Sequence, residues 1–141
     1  KVPGYPLKKI FNECSVDERV DIILNGYEKN GYKLSPLKER FQYSLGWLDR
    51  KDVFHTTFER LIGEKGGGSA ATQVEEVSSI MQFLNLKNQN PLDIAKDIFY
   101  TKSETFNKGA IDGWRDILSL SQEKMILDVL GDEMKTLGYL K

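Results

Sequence analysis

The sequence predicts a mainly α-helical chain with one or two short strands. Three observations carry this: apolar residues recur at helical spacing in most segments, several segments open with helix-start signals, and only one run reads as a strand. The 141 residues fit one domain, 1–141, large enough to bury a core. Hydrophobic residues make up 40% and charged residues 29%, ordinary for a globular chain.

Residues 1–14 read as a loop, with Leu7, Ile10 and Phe11 available to dock. Ser15 is a helix cap, with Asp17 and Glu18 in the first turn, where carboxylates favour the positive end of the helix dipole. Val16, Val20, Ile23 and Leu24 continue that helix to Gly26. Ser35-Pro36 starts a second helix, because proline at the first helical position loses no hydrogen bond. Leu37, Phe41, Leu45 and Leu48 form its stripe, and Gly46-Trp47 is its expected stop.

Val53-Phe54-His55-Thr56-Thr57-Phe58 is the strand: β-branched, aromatic and flanked by charge. Its near-continuous apolarity suits a strand covered on both faces. A lone strand leaves its backbone groups without partners, so its sheet is expected from elsewhere, either a missing part of the domain or another chain. The opening Lys1-Val2-Pro3-Gly4, without Met, agrees with a piece of a longer protein.

Gly63–Ser69 reads as a flexible linker without the Lys-Ser/Thr ending of a nucleoside-triphosphate loop. Thr72-Gln73-Val74-Glu75 then reads as a capping box, and Val74, Val77, Met81 and Leu84 share one helix face. Pro91 opens a short helix carrying Leu92, Ile94, Ala95 and Ile98. Residues 101–114 read as loop. Ser119 or Ser121 caps the last helix, whose stripe is Met125, Val129, Leu130 and Met134 with Leu127 on its flank, and Gly138 stops it.

Twenty Lys+Arg against 21 Asp+Glu give a formal charge of −1, which offers no footprint for nucleic acid or an anionic membrane surface. No apolar run reaches the roughly 20 residues of a membrane helix, and Lys1 to Pro6 lack the apolar stretch of a signal peptide. A cytoplasmic chain is expected. Cys14, the single cysteine, forms no internal disulfide or metal cluster and reads as a small hydrophobe. His55, the single histidine, reads as structural or exposed. Trp47 and Trp114 read as packing anchors, and Glu75, Glu76 and Glu123 as solvated helix faces.

Three stretches in order carry a resemblance. They are Trp47 followed by "VFHTTFERL", then "GGGSAATQVEEVSSIMQFLNL", then "SETFNKGAIDGWRDIL". Together they resemble the C-terminal half of cytosolic and bacterial sulfotransferases that use 3′-phosphoadenosine 5′-phosphosulfate (PAPS). The resemblance is strong from residue 47 to 118 and weak before that. It implies an α/β parent domain of the P-loop-like sulfotransferase fold, with a parallel sheet and flanking helices. It also implies transfer of a sulfuryl group from PAPS to a hydroxyl or amine acceptor.

Thr57, Phe58, Glu59, Arg60 and Leu61 align with the family's Arg-Tyr-Glu-Asp-Leu strand end, so Phe58 implies part of the adenine pocket without the tyrosine hydroxyl. Asn107, Lys108 and Gly109 align with the Arg-Lys-Gly segment that wraps the nucleotide 3′-phosphate. Independently of the family, Asn107 and Lys108 can donate to phosphate oxygens, and Gly109 lets its backbone N–H approach closely. Asparagine in place of arginine removes one charge, a loss of ~1.5–3 kcal/mol or roughly 10–150-fold in affinity.

Arg115, Ser119, Leu120 and Lys124 occupy the family's Lys-x-x-x-Thr-Val-x-x-x-Glu dimer motif, with the last charge reversed, which argues against that dimer. The family's phosphate-loop lysine, catalytic histidine and 3′-phosphate Arg/Ser pair are not among these residues. The resemblance therefore implies no catalytic residue here and an inactive isolated chain, associating with a missing N-terminal half or with itself through apolar faces. A non-catalytic helical interaction module, or a degenerate relic of such an enzyme, is the competing expectation.

Overall fold

The computed structural model describes residues 6–29, 31–102 and 108–140, with side chains from Lys9 onward. The chain is mainly helical: α1 (Pro6–Glu13), α2 (Val16–Asn25), α3 (Leu37–Leu45), α4 (Phe58–Leu61), α5 (Ala70–Phe83), α6 (Pro91–Ile98) and α7 (Leu120–Thr136). Among the described residues the strands are β1 (Tyr27–Lys29) and β2 (Tyr32–Leu34), an antiparallel pair. The backbone divides into two compact units, residues 1–50 with 118–141, and residues 51–117.

In the first unit, Ser15 caps α2 as expected. Its hydroxyl accepts from the Glu18 N–H at 3.2 Å, and the Glu18 carboxylate accepts from the Ser15 N–H at 2.7 Å. The Ser15 N–H and then the Ser15 hydroxyl hold the Glu18 carboxyl below its ordinary pKa. Gly26 ends the helix at φ +84°, where a Cβ would meet the Leu34 carbonyl oxygen at 2.6 Å. Only glycine fits that close return of β2.

Val20, Leu24 and Leu130 are the buried centre of this unit, and Leu37, Phe41, Ile126, Val129 and Met134 pack around them. Helix α7 opens on a capping box between Ser119 and Gln122, which resolves the choice between Ser119 and Ser121. The Gln122 amide also donates to Asp17, tying the starts of α2 and α7 together. Gly138, at φ +81°, follows the C-terminus of α7 as expected.

The same unit corrects several expectations. Residues 6–13 form α1 rather than a loop. Pro36 is the N-cap of α3 rather than its first residue, so the helix starts one residue later than expected, at Leu37, and α3 buries none of its residues completely. Met125 and Leu127 stand 41% and 42% exposed, so the α7 stripe runs through Ile126, Val129, Leu130 and Met134 instead.

In the second unit the expected strand is not formed. Residues 54–57 have no regular structure, although Thr57 is extended (φ −118°, ψ 157°), and Phe58 opens α4. With no neighbouring strand to accept its N–H groups, the segment gains nothing from a ladder. It is held by side chains instead, with the Phe54 and Phe83 rings 5.6 Å apart at 57°.

Helix α5 starts three residues earlier than the sequence implies. Ser69, not Thr72, is the cap, accepting from the Thr72 N–H at 3.3 Å. Asn90 caps α6 at 3.0 Å, with Pro91 in its first turn. Val77, Met81 and Ala95 form the core where α5 meets α6, with Leu61, Val74, Ile94 and Ile98 around them. Leu84 is exposed, because the helix has ended by then. Trp47 and Trp114 are 53% and 41% exposed, so neither is a buried anchor. Arg50 stacks 5.3 Å from the Trp47 ring and Arg115 4.3 Å from the Trp114 ring.

Candidate anion site on paired glycine loops

The segment read as a flexible linker is a folded loop. Residues 64–66 make one 3₁₀ turn, and the N–H groups of Gly66, Gly67 and Gly68 donate to Gly63, Glu64 and Gly63 at 3.2, 3.0 and 2.8 Å. Gly63 (φ +67°) and Gly67 (φ +87°) take conformations that side chains resist. Gln73 of α5 fills the space above Gly63 and donates to the Leu61 carbonyl at 2.6 Å, which fixes the start of the loop.

A second loop lies against this one. The Ile111 N–H donates to the Gly66 carbonyl at 2.8 Å, and a Cβ on Gly66 would meet the Gly109 carbonyl oxygen at 2.6 Å as well as the Ile62 side chain. Gly66 is buried, and the two backbones touch because it has no side chain. Gly109 itself sits at φ +55°. The glycine-rich loop and the Lys108-Gly109 turn are thus one structural feature.

Lys108, read from the sequence as a phosphate ligand, extends into solvent with its side chain 55% exposed. Its ammonium lies 3.7 Å from the Asp116 carboxylate, itself 76% exposed. That pair is a weak commitment, since exposed ion pairs contribute about 0–1 kcal/mol. Asn107 lies outside the described residues. Phe58 begins α4 and is 46% exposed. The carbonyl of the next residue, Glu59, lies 3.2 Å from where a Gly68 Cβ would be. Phe58 and Lys108-Gly109 therefore join the glycine loop at different points, through Glu59 at Gly68 and directly at Gly66.

One important group was read wrongly in the sequence. Glu76, expected on a solvated face, is 3% exposed and accepts from Arg60 of α4. Burial alone would raise its pKa, but hydrogen bonds from Thr56 and Arg60 and the Arg60 charge outweigh that and hold it below the ordinary value. The signal was present: Glu76 adjoins Val77 and follows Gln73 by three, which places it on the buried side of α5. This pair anchors the 56–60 segment, and with it the entry to the glycine loop.

Helices α5 and α6 and the loop between Ile62 and Lys65 border an open pocket of about 290 Å³, lined by Val74, Ala95 and Phe99 among others. Lys65 and Lys96 also line it. Lys96 is paired with Asp93 at 3.0 Å. Among the described residues no cluster of His, Cys, Asp and Glu is arranged to hold a metal ion. No helix there is long and apolar enough to cross a membrane. The loop pair presents one exposed cation, Lys108, while the N–H groups of Gly66, Gly67, Gly68 and Ile111 are used in holding the loops together.

Comparison with protein-family models, with curated proteins and with solved structures found no match.

Proposed function

We propose that this chain supplies part of the nucleotide site of a PAPS-dependent sulfotransferase, with Asn107, Lys108 and Gly109 holding the 3′-phosphate and Phe58 beside the adenine. The observation that supports this reading most directly is the seating of Lys108-Gly109 on the buried Gly66, which leaves the Lys108 ammonium facing solvent. A lysine turned into a core, or a turn detached from the glycine loop, would have argued against it.

In this reading the acceptor is a hydroxyl or amine compound, and the chemistry needs groups beyond those named here. Sulfuryl transfer requires positive charge at the sulfonate and a base placed for the acceptor proton. A phosphate-binding loop with its lysine, a histidine base and an α/β parent sheet must then come from another segment or chain.

Calorimetric titration with 3′-phosphoadenosine 5′-phosphate, the desulfonated product, tests the proposal. It is run on this chain and on the longest natural form of the protein. Binding that weakens about 10-fold in Lys108→Ala, the loss of one charge-assisted bond, supports it. No binding to either form refutes it.

A second reading, a helical interaction module, draws on a different observation. Helix α7 leaves Leu120 83% exposed, with Met125 and Leu127 also uncovered. Sedimentation that stays monomeric at high concentration, with nucleotide binding intact, removes that reading.

A further inference from the structure

We propose that the open pocket between α5 and α6 binds a small zwitterion with an apolar body, an α-amino acid of the leucine or phenylalanine kind. The proposal does not depend on the nucleotide-site reading, since none of Phe58, Lys108 and Gly109 lines this pocket.

The floor of the pocket is apolar, built from Ile62 of the loop, Val74 of α5, and Ala95 and Phe99 of the α6 segment. Ile62 and Ala95 are themselves buried, so packing rather than loose surface side chains fixes that floor. The volume, about 290 Å³, lies at the small end of the roughly 300–1,000 Å³ of ligand pockets. It suits one branched or aromatic side chain and is too small for a nucleotide.

The rim carries both signs of charge. Glu64 and Lys65 are neighbours in the 3₁₀ turn, both exposed, and neither has an ion-pair partner among the described residues. Lys96 stands on α6, held only by its exposed pair with Asp93 at 3.0 Å. A purely anionic ligand gains from Lys65 but is opposed by Glu64, and a purely cationic one meets the reverse. A carboxylate and an ammonium on one carbon answer both charges at once.

Gln73 adds an acceptor for the ammonium. It lines the pocket, is 8% exposed, and donates its amide N–H to the Leu61 carbonyl at 2.6 Å. That bond turns Oε1 over Gly63, where a Cβ would lie 2.4 Å from it, and among the described residues Oε1 accepts from no donor. A carbonyl oxygen held without a donor gains a bond when a ligand N–H reaches it.

The test is a ¹⁵N-resolved NMR titration of the full chain with L-leucine. It is repeated with 4-methylpentanoate, which lacks the ammonium, and with 3-methylbutylamine, which lacks the carboxylate. Leucine is expected to move the Lys65, Gln73 and Ala95 amides saturably, with a Kd on the order of 1 mM for so small a ligand. Each truncated compound should bind at least about 5-fold more weakly, the loss of one partly exposed charge contact. Lys65→Ala should weaken leucine about 5-fold and leave 3-methylbutylamine unweakened, and Glu64→Gln should weaken leucine but not 4-methylpentanoate. Both residues are exposed, so these substitutions leave the core alone. Ala70→Trp, at the exposed first residue of α5, fills the pocket and should abolish the movement.

Equal binding of leucine and 4-methylpentanoate overturns the zwitterion requirement. Movement that survives Ala70→Trp puts the ligand elsewhere and overturns the site. The same amides moving with protein concentration alone make a second copy of this chain the occupant, which also overturns it. No saturable movement up to about 20 mM leucine does the same. Each of these results leaves the nucleotide-site reading standing.

Discussion

Replacing Glu76 with Gln tests whether a buried carboxylate organises the second unit. The side chain of Glu76 is 5% exposed and accepts from Arg60, with Thr56 as its other donor. A glutamine of the same shape keeps one acceptor oxygen but loses the charge that strengthens both bonds. Charge-assisted bonds contribute about 1.5–3 kcal/mol and neutral ones about 0.5–1.5, so each bond weakens by ~1 kcal/mol. Arg60 is 48% exposed, and solvent screens its share. The expected loss is therefore about 1.5 kcal/mol.

Urea unfolding followed by Trp114 fluorescence, in a Trp47→Phe background, reads the second unit alone, because Trp114 is the only tryptophan within residues 51–117. The pH dependence gives an independent sign. The folded-state pKa of Glu76 lies below its unfolded value. Its stabilisation is therefore fully present above the ordinary carboxylate range, about pH 4–4.5, and is lost as pH falls through the lower folded value. The gap between wild type and Glu76→Gln should close on acidification. A difference under about 0.5 kcal/mol at pH 7, or a gap that widens on acidification, would refute the account.

Two further outcomes follow from the loop pair. Gly66→Ala places a methyl against the Gly109 carbonyl and the Ile62 side chain, so it should destabilise the second unit by about 1–3 kcal/mol in the same unfolding assay. Asp116→Asn removes the carboxylate 3.7 Å from Lys108 and should tighten 3′-phosphoadenosine 5′-phosphate up to about 5-fold, the equivalent of one exposed ion pair, in the calorimetric titration.

Helix existence was legible in the sequence wherever a cap and an apolar stripe coincided. Ser15 with Val20 and Leu24, and Ser119 with Val129 and Leu130, are found as read. Boundaries shifted where two hydroxyl residues competed, as Ser69 and Thr72 did, because either can accept from a nearby N–H. The strand at 53–58 failed for a physical reason: β-branched and aromatic composition marks a segment that fits a sheet but cannot supply its neighbours.

The sheet that does form carried a plainer signal, Asn30-Gly31 between Tyr27-Glu28-Lys29 and Tyr32-Lys33-Leu34. That dipeptide suits a tight hairpin, and Gly31 takes φ +75°. Of the candidate site, Lys108 and Gly109 were visible through the motif around them. Their contact with Gly66 was not, since it joins segments more than 40 residues apart through backbone atoms that no side-chain pattern encodes.

The order in which the units use the chain has a consequence during synthesis. Residues 51–117 are contiguous and can close their own core as soon as α6 has emerged, since Val77 and Met81 need only Ala95. The other unit is interrupted. Val20 and Leu24 wait for Leu130, so α2 and α3 leave the ribosome with their apolar faces open while the whole second unit is still being made. A nascent chain stalled near residue 117 would hold a finished C-terminal part and an unfinished N-terminal one. That is the reverse of the usual N-to-C order, and α7 is the piece that closes the core of the first unit.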